Sequence, residues 1–256
     1  TLMQTVVVRN LTIGAGIPKI CVPIVGADKE EILTAAQNIQ DSRADFTEWR
    51  ADWFAQVQDL QKVKQILAEL RGILGQMPLL CTFRTKQEGG EKQVGLQAYT
   101  AFYESVVQTG LADLIDLELS AGDTAVRQLV AAAHANGVKV IASSHDFHHT
   151  PPKEEIIQKL CKMQELGADL IKAAVMPQNR EDVLTLLSAT EQMCRESARC
   201  PVITMAMGAA GVISRICGET SGSAVTFAAI GKTSAPGQMQ AEELAQILSV
   251  LHHYMG

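Results

Sequence analysis

Ala168-Asp169-Leu170-Ile171-Lys172-Ala173-Ala174-Val175 is an apolar, strand-like run with one lysine held at its centre. Its neighbours repeat the pattern. Residues 138–145 are apolar apart from Lys139 until they close on Ser143-Ser144-His145, and residues 202–207 carry Met205 and Met207. Extending outward adds strand-like runs at 20–25, 46–53, 79–84, 114–119 and 224–230, so that with 170–176 there are eight. Stretches with helical periodicity fill the gaps at 30–39, 57–73, 96–108, 124–135, 154–166, 180–196 and 241–253, with a shorter helix at 209–217. Each strand–helix pair takes roughly 30 residues, the length of a βα unit.

Eight such units without a long linker predict an α/β fold, a (β/α)8 TIM barrel formed as a single domain over 1–256. A short N-terminal β-hairpin is expected over 5–13, ahead of Gly14-Ala15-Gly16, as a plug across the bottom of the barrel. The rival architecture, a doubly wound open sheet, would place a GxGxxG turn after the first strand. Here the glycine pair precedes a strand, and there is no P-loop.

Composition narrows the function classes. Hydrophobic residues make up 47% and charged residues 20% of the 256, enough apolar material for a core. A net charge of −6 disfavours nucleic acid and anionic membrane as partners, because both reward a basic surface. No apolar run is long enough to span a bilayer, and the opening residues show no basic stretch leading into an apolar one, so no leader is expected. Six cysteines are scattered without a CxxC pair, which points to free thiols and a cytoplasmic setting.

Side chains alternate along a strand, so one parity of each run faces the barrel interior. That rule places Glu48 and Arg50, Thr82 and Arg84, Asp116 and Glu118, Ser143 and His145, and Lys172 in one enclosure, with Trp49 turned towards the helices. Burying an ion costs several kcal/mol even after relaxation, of order, so so many charges fit a solvated basin better than a folding core. At a barrel's carboxyl strand ends that basin is an active site.

Lys172 is the lysine set in mid-strand; Lys139 begins its strand at the opposite face, and Lys232 lies in a loop. Desolvation and nearby cations lower a lysine's pKa and make its amine a nucleophile towards carbonyls. A buried lysine neutralised by Asp116 or Glu118 fits the same residues. Ala173 and Ala174 leave room for a substrate. His145, one strand earlier, suits the repeated proton transfers of imine chemistry. With His148 and His149 nearby a metal is conceivable, but neither HxH nor HExxH occurs, and neither metal nor cofactor is expected.

These residues resemble those of the type I 3-dehydroquinate dehydratases, (β/α)8 lyases of the shikimate pathway, over essentially the whole chain. The resemblance rests on Glu48-Trp49-Arg50-Ala51-Asp52, Phe83-Arg84 with Glu88-Gly89-Gly90-Glu91, Asp116-Leu117-Glu118-Leu119, Ser144-His145-Asp146-Phe147, Ile171-Lys172, Met205-Ala206-Met207, Gly211-Val212-Ile213-Ser214-Arg215 and Ser234-Ala235-Pro236-Gly237-Gln238. It implies that Lys172 forms a Schiff base with the C3 ketone of 3-dehydroquinate, and that water is then eliminated to give 3-dehydroshikimate. It implies His145 as the general acid/base and Glu88 as the carboxylate that orients it. Without the resemblance Glu88 is a loop glutamate and Arg215 equally a helix surface residue; with it, Arg215 grips the substrate carboxylate. Glu48, Arg50 and Arg84 become contacts for the ring hydroxyls, Ser234 and Gln238 parts of a loop that closes over substrate, and Asp116 and Glu118 partners of the cations. Met205 and Met207 read as a flexible wall or as core packing. Thr47 and Thr233 depart from the usual pattern, as does the plainer Gly208-Ala209-Ala210, without removing a reacting group. The resemblance also implies a homodimer. The same reaction serves aromatic biosynthesis and quinate breakdown.

Two other readings use the same residues. A class I aldolase would also employ a lysine imine, but would favour a phosphate cradle near the last two strands, where this chain has Ser-Ala-Pro-Gly-Gln. A non-catalytic metabolite sensor on this scaffold would be expected to lack Lys172 or His145.

Overall fold

The parallel ladder is set strand by strand by the register of its partners. In a computed structural model, which describes residues 4–256, the strands β3 (Lys19–Ile24), β4 (Phe46–Arg50), β5 (Leu79–Thr82), β6 (Leu114–Glu118), β7 (Lys139–His145), β8 (Leu170–Val175), β9 (Val202–Ala206) and β10 (Val225–Ala229) pair in chain order, with β10 returning to β3. The remaining seam, β9 to β10, is closed by a parallel bridge between Val202 and Ser223 and by the Ala224 N–H donating to the Val202 carbonyl at 2.8 Å. The eight strands thus form the (β/α)8 barrel. The expectation about a leader falls partly on residues 1–3, which lie outside the described residues.

Helices α1 (Lys29–Gln40), α2 (Leu60–Leu74), α3 (Leu96–Gln108), α4 (Asp123–Ala135), α5 (Lys153–Glu165), α6 (Arg180–Gln192), the short α7 (Gly218–Ser221) and α8 (Ala241–Met255) lie between or after the strands. Their starts follow from side chains that satisfy orphan N–H groups: Asp28 accepts from Glu31 N, Asp59 from Gln61 N and Lys62 N, and Asn179 from Asp182 N.

Alternation divides the apolar residues into two compartments. Cys21, Phe46, Leu80, Leu114, Ile141, Leu170, Ile203, Val225 and Phe227 cluster inside the ring. Trp49, Ile115, Leu117 and Val140 join the layer between strands and helices. The hairpin strands β1 (Val6–Val8) and β2 (Leu11–Ile13) contribute buried Val8 and Ile13 to the inner cluster, so they plug the barrel from below as expected. Arg9, at the hairpin turn, donates to Asp113 at 2.8 Å, and Arg71 holds the other oxygen of that carboxylate at 2.6 Å.

Several boundaries differ from the expected ones for identifiable reasons. The run 46–53 is strand only to Arg50; Ala51–Trp53 is a 3-10 turn, because Asp52 folds back to clamp Arg50. The run 79–84 likewise ends at Thr82. Helical hydrogen bonding over 180–196 widens to a π-helical turn at Met193–Ser197. Residues 209–217 form a 3-10 segment, Ala209–Arg215, followed by α7, which periodicity alone does not show in four residues. A two-residue strand, β11 (Met239–Gln240), adds to the edge of β10 beyond the loop at 231–238. Ala173 packs on the helix side with Ile171 and Val175, so the room for a ligand beside Lys172 comes from Ala174 alone of the two alanines. Thr47 is buried and donates to the Val22 carbonyl at 2.7 Å, a polar anchor where an aliphatic side chain would only pack.

Candidate active site

The strand register carries the polar residues to one end of the barrel. Arg50 pairs with Thr82, Thr82 with Asp116, Glu118 with Ser143, Ser143 with Lys172, and Ala174 with both His145 and Met205. These are inward positions at or near carboxyl strand ends, where a barrel opens to ligand. The narrow pocket there is lined by Glu48, Arg50, Arg84, Glu88, His145, Lys172, Met205, Met207, Phe227, Ser234 and Gln238, among others. Roomier clefts occur on the flanks, but those gather no comparable set of reactive groups.

Lys172 is only 5% exposed. Its Nζ lies 4.0 Å from Asp116 Oδ2, beyond hydrogen-bond reach, and 4.2 Å from the centre of the Phe227 ring. Burial drives its pKa below the ordinary lysine value; Asp116 and Glu48 oppose the shift and Arg84 adds to it. The result is an amine that gives up its proton more readily than one in water.

His145 ends β7 and is held by Glu88 twice. Glu88 Oε1 accepts the His145 backbone N–H at 2.8 Å and faces Nδ1 at 3.2 Å. Burial, then the Arg84, Lys172 and Arg50 cations, hold the imidazole well below its usual pKa, so the neutral ring is favoured. A neutral ring with its proton on Nδ1, directed to Glu88, leaves Nε2 as the base. Glu88 itself is pushed up to about 7 by burial and by Glu118, against the pull of Arg84, Ser120 and the His145 N–H. Ser120 donates to the second oxygen of Glu88.

The loop that delivers Glu88 is tightly specified. Gly89 sits at φ 89°, and a Cβ on Gly90 would come within 1.9 Å of the Arg84 carbonyl oxygen. Glycine is therefore required for the chain to fold back under its own strand end.

Arg84 is fixed by three acceptors through one nitrogen: Asp116 Oδ1 at 3.0 Å, Glu118 Oε2 at 2.9 Å and Ser143 Oγ at 3.1 Å. Asp116 stays below the ordinary carboxyl pKa, because Arg84 and Lys172 outweigh the upward push of burial. Arg50 is clamped by Asp52 in two parallel bonds of 2.8 Å, and Asp52 also accepts the Arg84 and Glu91 N–H groups. Glu48 accepts from Thr82 at 2.8 Å.

Arg215 lies in the segment after β9, 2% exposed. One terminal nitrogen donates to the Pro236 carbonyl at 2.9 Å, whereas Nε and Nη1 have no partner. Burial lowers its pKa to about 10. Two buried N–H donors left open on a cation are an unfinished site for an oxyanion. Its contact with Pro236 ties it to the loop bearing Ser234 and Gln238, which hydrogen-bond each other at 2.9 Å. At the tip, Gly237 has φ 80° and lies so near Gly208 that a Cβ would approach that carbonyl oxygen to 2.7 Å.

Glu48, Arg50, Arg84, Glu88, His145, Lys172, Ser234 and Gln238 therefore line the pocket, Arg215 touches the loop that covers it, and Asp116 and Glu118 stand behind it on Arg84. Asp52, Ser120, Phe147 and Phe227 were not singled out as site residues. Asp52 fell in a quoted motif without a task, and a bidentate pair at i, i+2 becomes visible only when a strand is known to stop. His148 and His149 instead bind Asp146 through their N–H groups at 2.9 Å.

Comparison with known proteins agrees with this geometry. The family model described as type I 3-dehydroquinase matches residues 20–255. The chain is 51% identical over 249 residues to a 3-dehydroquinate dehydratase of Clostridioides difficile, covering 97% of this chain and 98% of that protein. A solved type I 3-dehydroquinate dehydratase from Clostridium difficile, with covalently modified comenic acid, superposes with a TM-score of 0.97 at 50% identity, over 99% and 100% of the two chains. The 3-dehydroquinate dehydratase structure from Geobacillus kaustophilus superposes with a TM-score of 0.96 at 38% identity, over 99% and 98%. These matches set aside the aldolase and sensor readings, and the chain belongs to the type I 3-dehydroquinase family.

Proposed function

We propose that Lys172 is the Schiff-base lysine of this 3-dehydroquinate dehydratase, a hydro-lyase that converts 3-dehydroquinate to 3-dehydroshikimate. The observation that carries the assignment is a buried lysine amine, free of a direct hydrogen-bonded counterion, on the strand beside His145. Its neutral form adds to the C3 carbonyl; loss of water from that adduct gives a protonated imine. The imine accepts electron density as the C2 proton leaves, and the C1 hydroxyl departs as water. Hydrolysis of the imine then returns the amine.

His145 is the group that takes and returns protons in these steps, with Nδ1 held by Glu88 and Nε2 free. The open donors of Arg215 receive the substrate carboxylate. Glu48, Arg50 and Arg84, with their orientations locked by Thr82, Asp52 and Asp116, meet the ring hydroxyls, and Ser234 and Gln238 cover the substrate from the loop. One catalytic domain, a homodimeric state and a cytoplasmic setting complete the reading; the second is what the resemblance implies, and six free thiols fit the third. Among the described residues no helix is long and apolar enough to cross a membrane.

Borohydride reduction in the presence of 3-dehydroquinate, followed by peptide mass analysis, tests the assignment. The adduct should sit on the peptide containing Lys172, and Lys172→Ala should give none while the ultraviolet absorbance of the enone product fails to appear. An adduct on another lysine, or turnover by Lys172→Ala, would overturn it.

A further inference from the structure

The loop over the pocket is anchored at its tip by Arg215 and Gly208, both of which hydrogen-bond the Pro236 carbonyl. Its base is held differently. Gln240 exchanges two hydrogen bonds with Gly231, and a backbone bridge joins Ile230 to Lys232. The side chain of Lys232 then leaves the loop and sets its ammonium over the ring of Trp53, 4.3 Å from the centroid. Trp53 closes the Ala51–Trp53 turn, whose Asp52 clamps Arg50, and Lys92 Nζ donates to the carbonyls of Asp52 and of the following Phe54 at 2.6 and 2.9 Å. The indole is thus mounted on a rigid turn and the lysine on a segment that must move for ligand to enter.

We propose that Trp53 is a positioning residue for the reaction: its indole face seats the Lys232 ammonium and so holds the covering loop in register with the Arg50 end of the pocket. This rests on the functional reading above. A lysine over an indole is attracted by the ring quadrupole, and the attraction falls from Trp to Phe and vanishes with an aliphatic replacement. The seat is therefore graded, and both partners can be varied without touching a group that meets substrate.

Two measurements test it. In the ligand-free protein, trypsin should cleave after Lys232 roughly 3-fold faster in Trp53→Leu than in the parent, the size expected of one exposed cation–π contact, with cleavage elsewhere unchanged. In steady-state assays, Trp53→Leu and Lys232→Met should each raise KM for 3-dehydroquinate by roughly 3-fold with kcat within 2-fold of the parent. Trp53→Phe should fall between, and Lys232→Arg should retain the parent KM. Unchanged KM in both loss variants together with unchanged cleavage in Trp53→Leu, or a fall in kcat that matches any rise in KM, would overturn the seat. Were the parent itself inactive on 3-dehydroquinate, the functional reading would fail, while the cleavage ratio would still decide for or against the seat.

Discussion

Asp116 Oδ2 faces Lys172 Nζ across 4.0 Å without a hydrogen bond to any neighbour, while Oδ1 of the same carboxylate is held by Arg84 and Ser143. The carboxylate is therefore fixed by others and acts on the amine through its charge. It raises the lysine pKa that burial lowers.

Replacing Asp116 by Asn removes that charge. The lysine pKa should drop further, so the limb of the pH–rate profile that reports amine deprotonation should move to lower pH. Arg84 loses one of two carboxylates, and urea denaturation should show a loss of about 3 kcal/mol. A limb that moves upward would contradict the electrostatic role.

Glu88 gives a pH signature of opposite origin. Its folded pKa is raised from 4.5 to about 7, so the folded protein holds a proton through that window that the unfolded chain has released. Stability from this group is complete below about pH 4.5 and declines as pH rises through 7, by roughly 3 kcal/mol in all. Glu88→Gln should flatten that decline, measured as the difference in unfolding free energy between pH 5 and pH 8. Activity should rise through pH 7 in the parent, as the carboxylate forms and holds His145, and that rise should be absent in the variant.

Arg215 keeps two buried donors without partners, which costs the folded protein stability. Arg215→Met should therefore leave the thermal midpoint unchanged or higher, while kcat/KM falls about 30- to 150-fold, the equivalent of about 2–3 kcal/mol of charge-assisted hydrogen bonding. Loss of activity together with a lowered midpoint would point instead to a structural arginine.

Asp52 accepts four hydrogen bonds and is fully buried. Asp52→Asn cannot accept from all four donors and leaves Arg50 without its counter-charge, so a loss of about 3–5 kcal/mol is expected in chemical denaturation. Should the variant prove as stable as the parent, the turn would not depend on the clamp.

Much of this arrangement could be read from the chain because strand alternation is a strict two-residue period. Once Lys172 is placed inward, Leu170 and Ala174 follow, and the same reasoning places Glu48 with Arg50 and Asp116 with Glu118. What escaped depends on where strands stop and on contacts distant in sequence. Asp52 lies in a turn that looks like strand continuation, Ser120 meets Glu88 from another strand's end, and Trp53 meets Lys232 across most of the chain. Small size alone suggests Ala173 beside the ligand, but parity turns it to the helix side, because size does not tell which face of a strand a residue occupies.

The hairpin beneath the barrel has a consequence for traffic. Val8 and Ile13 add to an interior already filled by Phe46, Leu80, Leu114, Ile141 and Leu170, so among the described residues the barrel admits ligand at its carboxyl strand ends and not from below. 3-Dehydroshikimate must vacate that end before the next 3-dehydroquinate can enter, so added product should raise the apparent KM for substrate in steady-state assays.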